Sequence, residues 1–215
     1  DCATGNGQAA LGLVAHFAEV VATDLSLAQL GEARRVPRLH YLAATAERLP
    51  LADRSVDLVT VAQALHWLDR PAFYAEVRRI GRPGAVVAAW SYGPLRVAPT
   101  IDAVVERLYS GIVGPYWPPE RAQVESGYRD LPFPFEPVPA AALALRAEWT
   151  LERLVGYLAS WSAVQRCKDA TGRDPLDEVR DALGAAWGDP ARTRTMHWPL
   201  ALRVGRLPRQ TTPET

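Results

Sequence analysis

The chain is poor in several residue types, and each shortage removes a class of function. Its two cysteines, Cys2 and Cys167, have no metal-type spacing and make no disulfide framework. The four histidines, His16, His40, His66 and His197, are scattered and give no zinc pattern, so no metal is expected. Lysine occurs once, at Lys168, while arginine and alanine are frequent, which reads as genome composition. The 24 basic residues are balanced by 24 acidic ones, so no net positive field is present to neutralise phosphates. Nucleic acid is therefore not expected as a partner. No uninterrupted apolar run reaches membrane-spanning length and no signal peptide is seen. No membrane association is expected, and with the cysteine usage the setting reads as cytoplasmic. At 215 residues the chain suits one α/β domain with embellishments.

What is present starts at the first residue. Asp1-Cys2-Ala3-Thr4-Gly5-Asn6-Gly7-Gln8 reads as an acidic strand end running into a tight glycine turn that opens a helix. Gly5 and Gly7 allow positive φ and close approach of a ligand. Ala9, Ala10, Leu13, Val14 and Phe17 then recur at helical spacing. The short β-branched run from Glu19 to Ala22 predicts a buried parallel strand ending at Asp24. Asp24 lies about 20 residues past the glycines, where a second-strand acid reaches ribose hydroxyls. These residues predict a nucleoside-cofactor site. Gly5 to Ala10 also satisfies the dinucleotide fingerprint, so an NAD-linked oxidoreductase, a turn without any ligand and a non-catalytic module retaining the fold all stay open. A turn of this type needs a strand before it, so a first strand is expected ahead of Asp1.

Counting that strand as the first, the rest of the chain reads in order. Ser26 caps a short helix to Ala33, and Leu39–Ala43 is the third strand. Residues 55–61 form the fourth strand, apolar on both faces, with Gln63, Ala64, His66 and Trp67 at its C-terminal end. Ligands sit beyond the carboxyl ends of parallel strands, which puts His66 where cofactor and acceptor would meet. Pro71 to Gly81 is a helix, and residues 85–90 are a fifth strand with Trp90 and Tyr92 at its ligand end. Helices are expected from Thr100 to Leu108 and from Pro119 to about Tyr128. Prolines exclude Leu131–Phe135 from a central strand. Leu143–Trp149 and Met196–Val204 alternate as strands. Between them Thr150 caps a helix carrying Leu154, Val155, Leu158, Trp161 and Ser162, and Asp174 caps another over Leu176 to Trp187. Arg209 to Thr215 is expected to be a disordered tail.

The run Asp-x-Ala-x-Gly-x-Gly over residues 1–7 resembles the first motif of class I S-adenosylmethionine-dependent methyltransferases. Three further segments resemble that family in order: Ala46-Glu47-x-Leu49-Pro50, Ser55-Val56-Asp57 and Arg82-Pro83-Gly84. The segments Gln63-Ala64-x-His66-Trp67, Trp117 to Arg121 and Gly156 to Ser162 are similar to trans-aconitate methyltransferase-like members, O-methyltransferases of small carboxylic acids. The resemblance implies an α/β, Rossmann-like, doubly wound and mostly parallel sheet, closed by an antiparallel last strand. Over residues 1–205 it implies a single domain with helical cap insertions at 94–135 and 150–190. The implied cofactor is S-adenosyl-L-methionine, with Asp1, Ala3, Thr4, Gly5 and Gly7 along the turn. Asp24 and Leu25 would hold the ribose, Ala46 and Glu47 the adenine, and Gln63 and Ala64 the strand end. A small-molecule acceptor would be walled by Trp67, Trp90, Tyr92, Trp117, Tyr157 and Trp161, and clamped by Arg166 or Lys168. His66 is the candidate base.

Overall fold

The computed structural model describes residues 1–209. They form two compact units. The first holds Asp1–Ser91, Ser126–Ala142 and the described residues from Ala201 on; the second holds Tyr92–Glu125 and Leu143–Leu200.

In the first unit the opening turn leads into helix α1, Gln8–Leu13, then strand β1, Val20–Asp24, helix α2, Leu27–Gly31, and strand β2, Leu39–Ala43. Strands β1 and β2 pair in parallel with Val20 opposite Leu39 and Asp24 opposite Ala43. Ala10, Val20, Ala22 and Leu39 are buried together, so the apolar spacing of α1 is what seats it on these strands. Strand β3, Val56–Ala62, pairs in parallel with strand β4, Gly81–Tyr92, and helix α3, Arg70–Ile80, crosses between them. Asp69 caps α3 by accepting the Ala72 N–H, and buried Glu76 accepts the Leu49 N–H at 2.6 Å while pairing with Arg79. That pair ties the loop after β2 to α3.

Asp1 and Cys2 join the two strand pairs. The Cys2 N–H donates to Thr60, Thr23 donates to Asp1, and Thr4 donates to Thr23, each at 2.8–2.9 Å. The order is therefore β2, β1, the opening residues, β3, β4. The chain winds one way from its start to β2 and the other way from β3 to β4. This reversal point is where doubly wound sheets carry ligands. Below Cys2, a cavity of about 450 Å³ lies between β1 and β3, lined by residues such as Leu13, Phe17, Val21, Val56 and Leu58.

From Tyr92 the chain enters the second unit. Helix α4, Pro99–Glu106, continues as a π-helical stretch over Arg107–Ile112, and helix α5, Arg121–Glu125, follows. Strand β5, Glu136–Pro137, belongs to the first unit. Strand β6, Leu143–Trp149, and helices α6, Leu151–Ala159, α7, Ser162–Thr171, and α8, Arg180–Trp187, complete the second. Strand β7, Arg194–Arg206, gives its first residues to the second unit, antiparallel to β6 with Trp149 opposite Arg194. Its last residues pair with β5 in the first unit, and Leu207 beyond them donates to Ala85 on β4. The second unit has its own core, with Ile101, Leu108, Leu154, Leu158, Leu183 and Trp187 all essentially inaccessible.

Several local expectations are corrected. Helix α5 is shorter than Pro119–Tyr128, because Gly127 and Tyr128 both take positive φ and break it. Thr150 stands at the start of α6, but its side chain makes no capping bond. The stretch after Thr150 is two helices, so Trp161 sits at their junction and precedes α7. Asp174 caps a 3-10 turn, Pro175–Glu178, ahead of α8. Arg82-Pro83-Gly84 falls inside the long strand β4. Of the predicted tail, residues 210–215 lie outside the described residues.

Candidate functional site

The opening turn is shaped by three residues with positive φ: Ala3 at 51°, Gly5 at 59° and Gly7 at 83°. The two glycines have different reasons. A Cβ on Gly7 would stand 2.2 Å from the Tyr41 hydroxyl, so packing of β2 forbids one. A Cβ on Gly5 would meet nothing nearer than 3.7 Å, so only the backbone conformation favours glycine there and the space above it is open.

Asp1 holds the turn. Its carboxylate accepts the Thr4 hydroxyl and, at 2.6 Å, the Thr60 hydroxyl of β3. Asp24 ends β1 beside it, accepting the Gly5 N–H on one oxygen and the Ser26 N–H on the other, both at 2.8 Å. A carboxylate has about four lone-pair sites, so two acceptor positions remain after these bonds. The half-buried Asp24 is thus fixed by backbone while keeping capacity for hydroxyl donors. Next to it Leu25 and Leu27 are 71% and 72% exposed, an unusual pair of bare leucines at a strand end. Ala46 is buried, and Glu47 accepts the Asp69 N–H at 3.0 Å, which ties its loop to the start of α3.

At the end of β3, Gln63 takes φ 55°, and its N–H donates to Trp90 of β4. Ala64 precedes the 3-10 turn Leu65–Trp67. His66 lies in that turn with Nδ1 2.9 Å from the Tyr128 hydroxyl, and its ring is 4.7 Å from that of Trp67. Tyr128 is fully buried in the left-handed region, where a bulky residue is strained. Arg203 overdetermines that conformation by donating to the Tyr128 and Leu131 carbonyls. Sequence patterning gave no signal for this tyrosine.

The second unit contains a separate cavity of about 230 Å³. Tyr92, Trp117, Tyr157 and Trp161, all expected around an acceptor, line it together with Tyr109. Trp67, 58% exposed, Trp90 and Arg166 do not line it. Arg166 is exposed and donates at 3.4 Å to the Tyr116 carbonyl, while Lys168 is paired with Asp174 at 2.7 Å. Two cationic side chains line the cavity, Arg96 and, among the aromatic rings, Arg121. The Arg121 guanidinium lies 4.7 Å from the Trp117 ring centre and 5.3 Å from that of Tyr109, and its Nε donates to the Tyr109 hydroxyl at 2.6 Å. Burial, followed by the bond to Glu125, pushes the Tyr109 phenol up to about 12, so it stays protonated and donates to Glu125. Burial also raises Tyr92, with Tyr157 beside it adding to the shift. Arg121 was legible only as the last residue of the Trp117–Arg121 segment.

A sheet that reverses at a glycine turn, with an acid closing the adjacent strand, is a doubly wound nucleoside-cofactor fold. Residues 1–89 match the methyltransferase domain family. A methyltransferase of Dictyostelium discoideum is 33% identical over 190 residues, covering 87% of this chain and 72% of that protein. A solved structure from Anaeromyxobacter dehalogenans, described as a type II methyltransferase, superposes with a TM-score of 0.92 at 51% identity, covering 97% of this chain and 89% of that one. A Marinomonas protein named malonyl-[acyl-carrier protein] O-methyltransferase is 40% identical over 95 residues, 40% of this chain and 35% of that one. The chain belongs to the methyltransferase domain family and is a class I S-adenosylmethionine-dependent methyltransferase. The oxidoreductase, the ligand-free and the non-catalytic alternatives are set aside. No helix among the described residues is long and apolar enough to cross a membrane.

Proposed function

We propose that this enzyme holds S-adenosylmethionine along residues 1–7 and methylates a carboxylate oxygen of a small-molecule acid. The observation that carries the cofactor assignment is Asp24. Two backbone bonds fix its carboxylate beside the open face of Gly5, and two acceptor positions are left for the ribose hydroxyls. Leu25, exposed next to it, supplies apolar surface for the nucleoside. Ala3, Thr4, Gly5 and Gly7 form the shelf for the methionine part, which Asp1 keeps in shape. Ala46 and Glu47 border the adenine, and Gln63 and Ala64 close the strand end.

When bound, the cofactor supplies a methyl group already activated by its positive sulfur. The protein's part is to align the acceptor and exclude water. A carboxylate needs no proton removed, so His66 shapes the site from its bond to Tyr128. That same bond favours a second reading, in which the acceptor is a hydroxyl and His66 takes its proton. The O-methyltransferase name of the Marinomonas relative and the guanidinium on the aromatic cavity support the carboxylate reading. The two cysteines are free and buried, which supports a reducing, cytoplasmic setting.

The test is turnover with methyl-labelled S-adenosylmethionine and a panel of small carboxylic acids, phenols and amines, read by mass spectrometry. Methyl esters are the expected products. Labelled phenol ethers or methylamines without esters would overturn the carboxylate reading.

A further inference from the structure

We propose that the cavity of the second unit is a receptor for a planar monocarboxylate, with Arg121 as its specificity-determining residue. This rests on the acid-acceptor reading above and names the kind of acid. At about 230 Å³ the cavity is smaller than the roughly 300–1,000 Å³ of drug-sized sites, so its ligand is small. Its walls are aromatic on several sides. Trp161 meets Tyr109 edge-on at 5.5 Å and Tyr157 at 5.9 Å, and Trp117 lies 5.7 Å from Trp161. Such walls suit a flat, conjugated body.

The polar lining decides the charge. Arg121 is held on Trp117 and Tyr109 with its Nε spent, and Glu125 stands 4.0 Å off. Its two terminal nitrogens make no hydrogen bond among the described residues, although the side chain is only 22% exposed. A guanidinium presenting an unspent fork inside a cavity matches a carboxylate in two parallel bonds. Arg96 adds a second positive charge to the lining. The acids there are already used in part: Asp102 accepts the Val97 N–H at 2.7 Å, and Glu106 accepts the Ser110 hydroxyl at 2.5 Å. Asp102 and Glu106 keep acceptor positions of their own, so what favours a carboxylate over an amine is the paired geometry of the Arg121 fork among the aromatic rings.

Two features of the chain agree. Tyr109, which braces Arg121, sits in the π-helical stretch after α4, a backbone irregularity frequent at functional sites. The lining also begins at Tyr92, the last residue of β4 and so its ligand-side end.

The experiment needs neither cofactor nor turnover. Quenching of tryptophan fluorescence, to which Trp117 and Trp161 contribute, is titrated with benzoate, benzamide and benzylamine. Benzoate is expected to bind at least tenfold more tightly than the other two. Arg121→Gln should cost benzoate at least tenfold and leave it no better than benzamide. Should that variant fail to fold, Arg121→Lys keeps the charge without the fork and should still lose severalfold for benzoate alone. Equal binding of the three probes, tighter benzylamine, no saturable binding, or an Arg121 variant that binds benzoate as wild type would overturn the proposal. Any of those results leaves the cofactor assignment standing. Failure of S-adenosylhomocysteine to bind would sink that assignment without touching this cavity.

Discussion

In the first unit the candidate site is made of main chain, and in the second it is made of side chains. The opening turn works through three left-handed residues and the N–H groups of Gly5 and Ser26, with Asp24 as one fixed carboxylate. The second cavity is lined by five aromatic rings and two guanidiniums gathered from β4 and the residues after it, the π-helical extension of α4, the segment from Trp117 into α5, and the α6–α7 region. A main-chain site tolerates few sequences, since each bend demands particular residues. A side-chain site can change its ligand by changing one residue. The family match ends at residue 89, close to Ser91, where the first unit's opening stretch ends. The family match therefore covers the turn, Asp24 and the strands around them, and the second unit lies outside it.

The comparison is broken most severely through the second unit's core. Trp187→Ala removes a side chain that is 1% exposed, and about 3–5 kcal/mol of stability should go with it in a denaturant titration. A loss under about 1 kcal/mol would mean this core is not what holds the cavity's walls. Gly7→Ala comes next, at about 2–4 kcal/mol, combining overpacking on Tyr41 with a disfavoured φ. Gly5→Ala meets only the φ penalty and should cost about 1–2 kcal/mol. Equal melting temperatures for the two alanine variants would contradict the separate roles assigned to the glycines.

Glu76 tests the scaffold of the first unit. Its bonds to Arg79 hold its carboxyl below the usual range, so the pairing contributes stability that is complete above the unfolded pKa of about 4.3. That contribution is lost as pH falls through the lower native value. Glu76→Gln should therefore cost about 1–3 kcal/mol at neutral pH and flatten the acid limb of the stability curve. An unchanged acid limb would remove Glu76 from the account. Tyr128→Phe is the mildest change, about 1 kcal/mol for one hydrogen bond. Nitrogen NMR of His66 should nonetheless show an altered tautomer balance, and an identical spectrum would mean the contact does not set the ring's state.

Legibility in the sequence followed the same division. Strands β1 to β4 and helix α3 stand within a few residues of where periodicity puts them, because apolar runs and glycine punctuation act locally, even in β2, where only Leu39 is buried. The turn and Asp24 were readable for the same reason. What was not readable depends on long-range contact. Trp161 falls at a helix junction because α6 ends at Ala159 and α7 starts at Ser162, a break that periodicity alone runs straight through. The strained Tyr128 is held by Arg203, 75 residues away. Arg121 matters through Tyr109 and Trp117, neither of which its own neighbours announce. Arg166 and Lys168 were attractive as clamps by charge alone, and the fold places one on the surface and the other in an ion pair.

The most direct measurement is calorimetric titration of S-adenosylhomocysteine into the wild-type protein and into Asp24→Ala. Loss of a charged acceptor costs roughly 1.5–3 kcal/mol, so the account predicts one site per chain and at least about tenfold weaker binding in the variant. Equal affinity in both proteins, or no binding by the wild type, would contradict it.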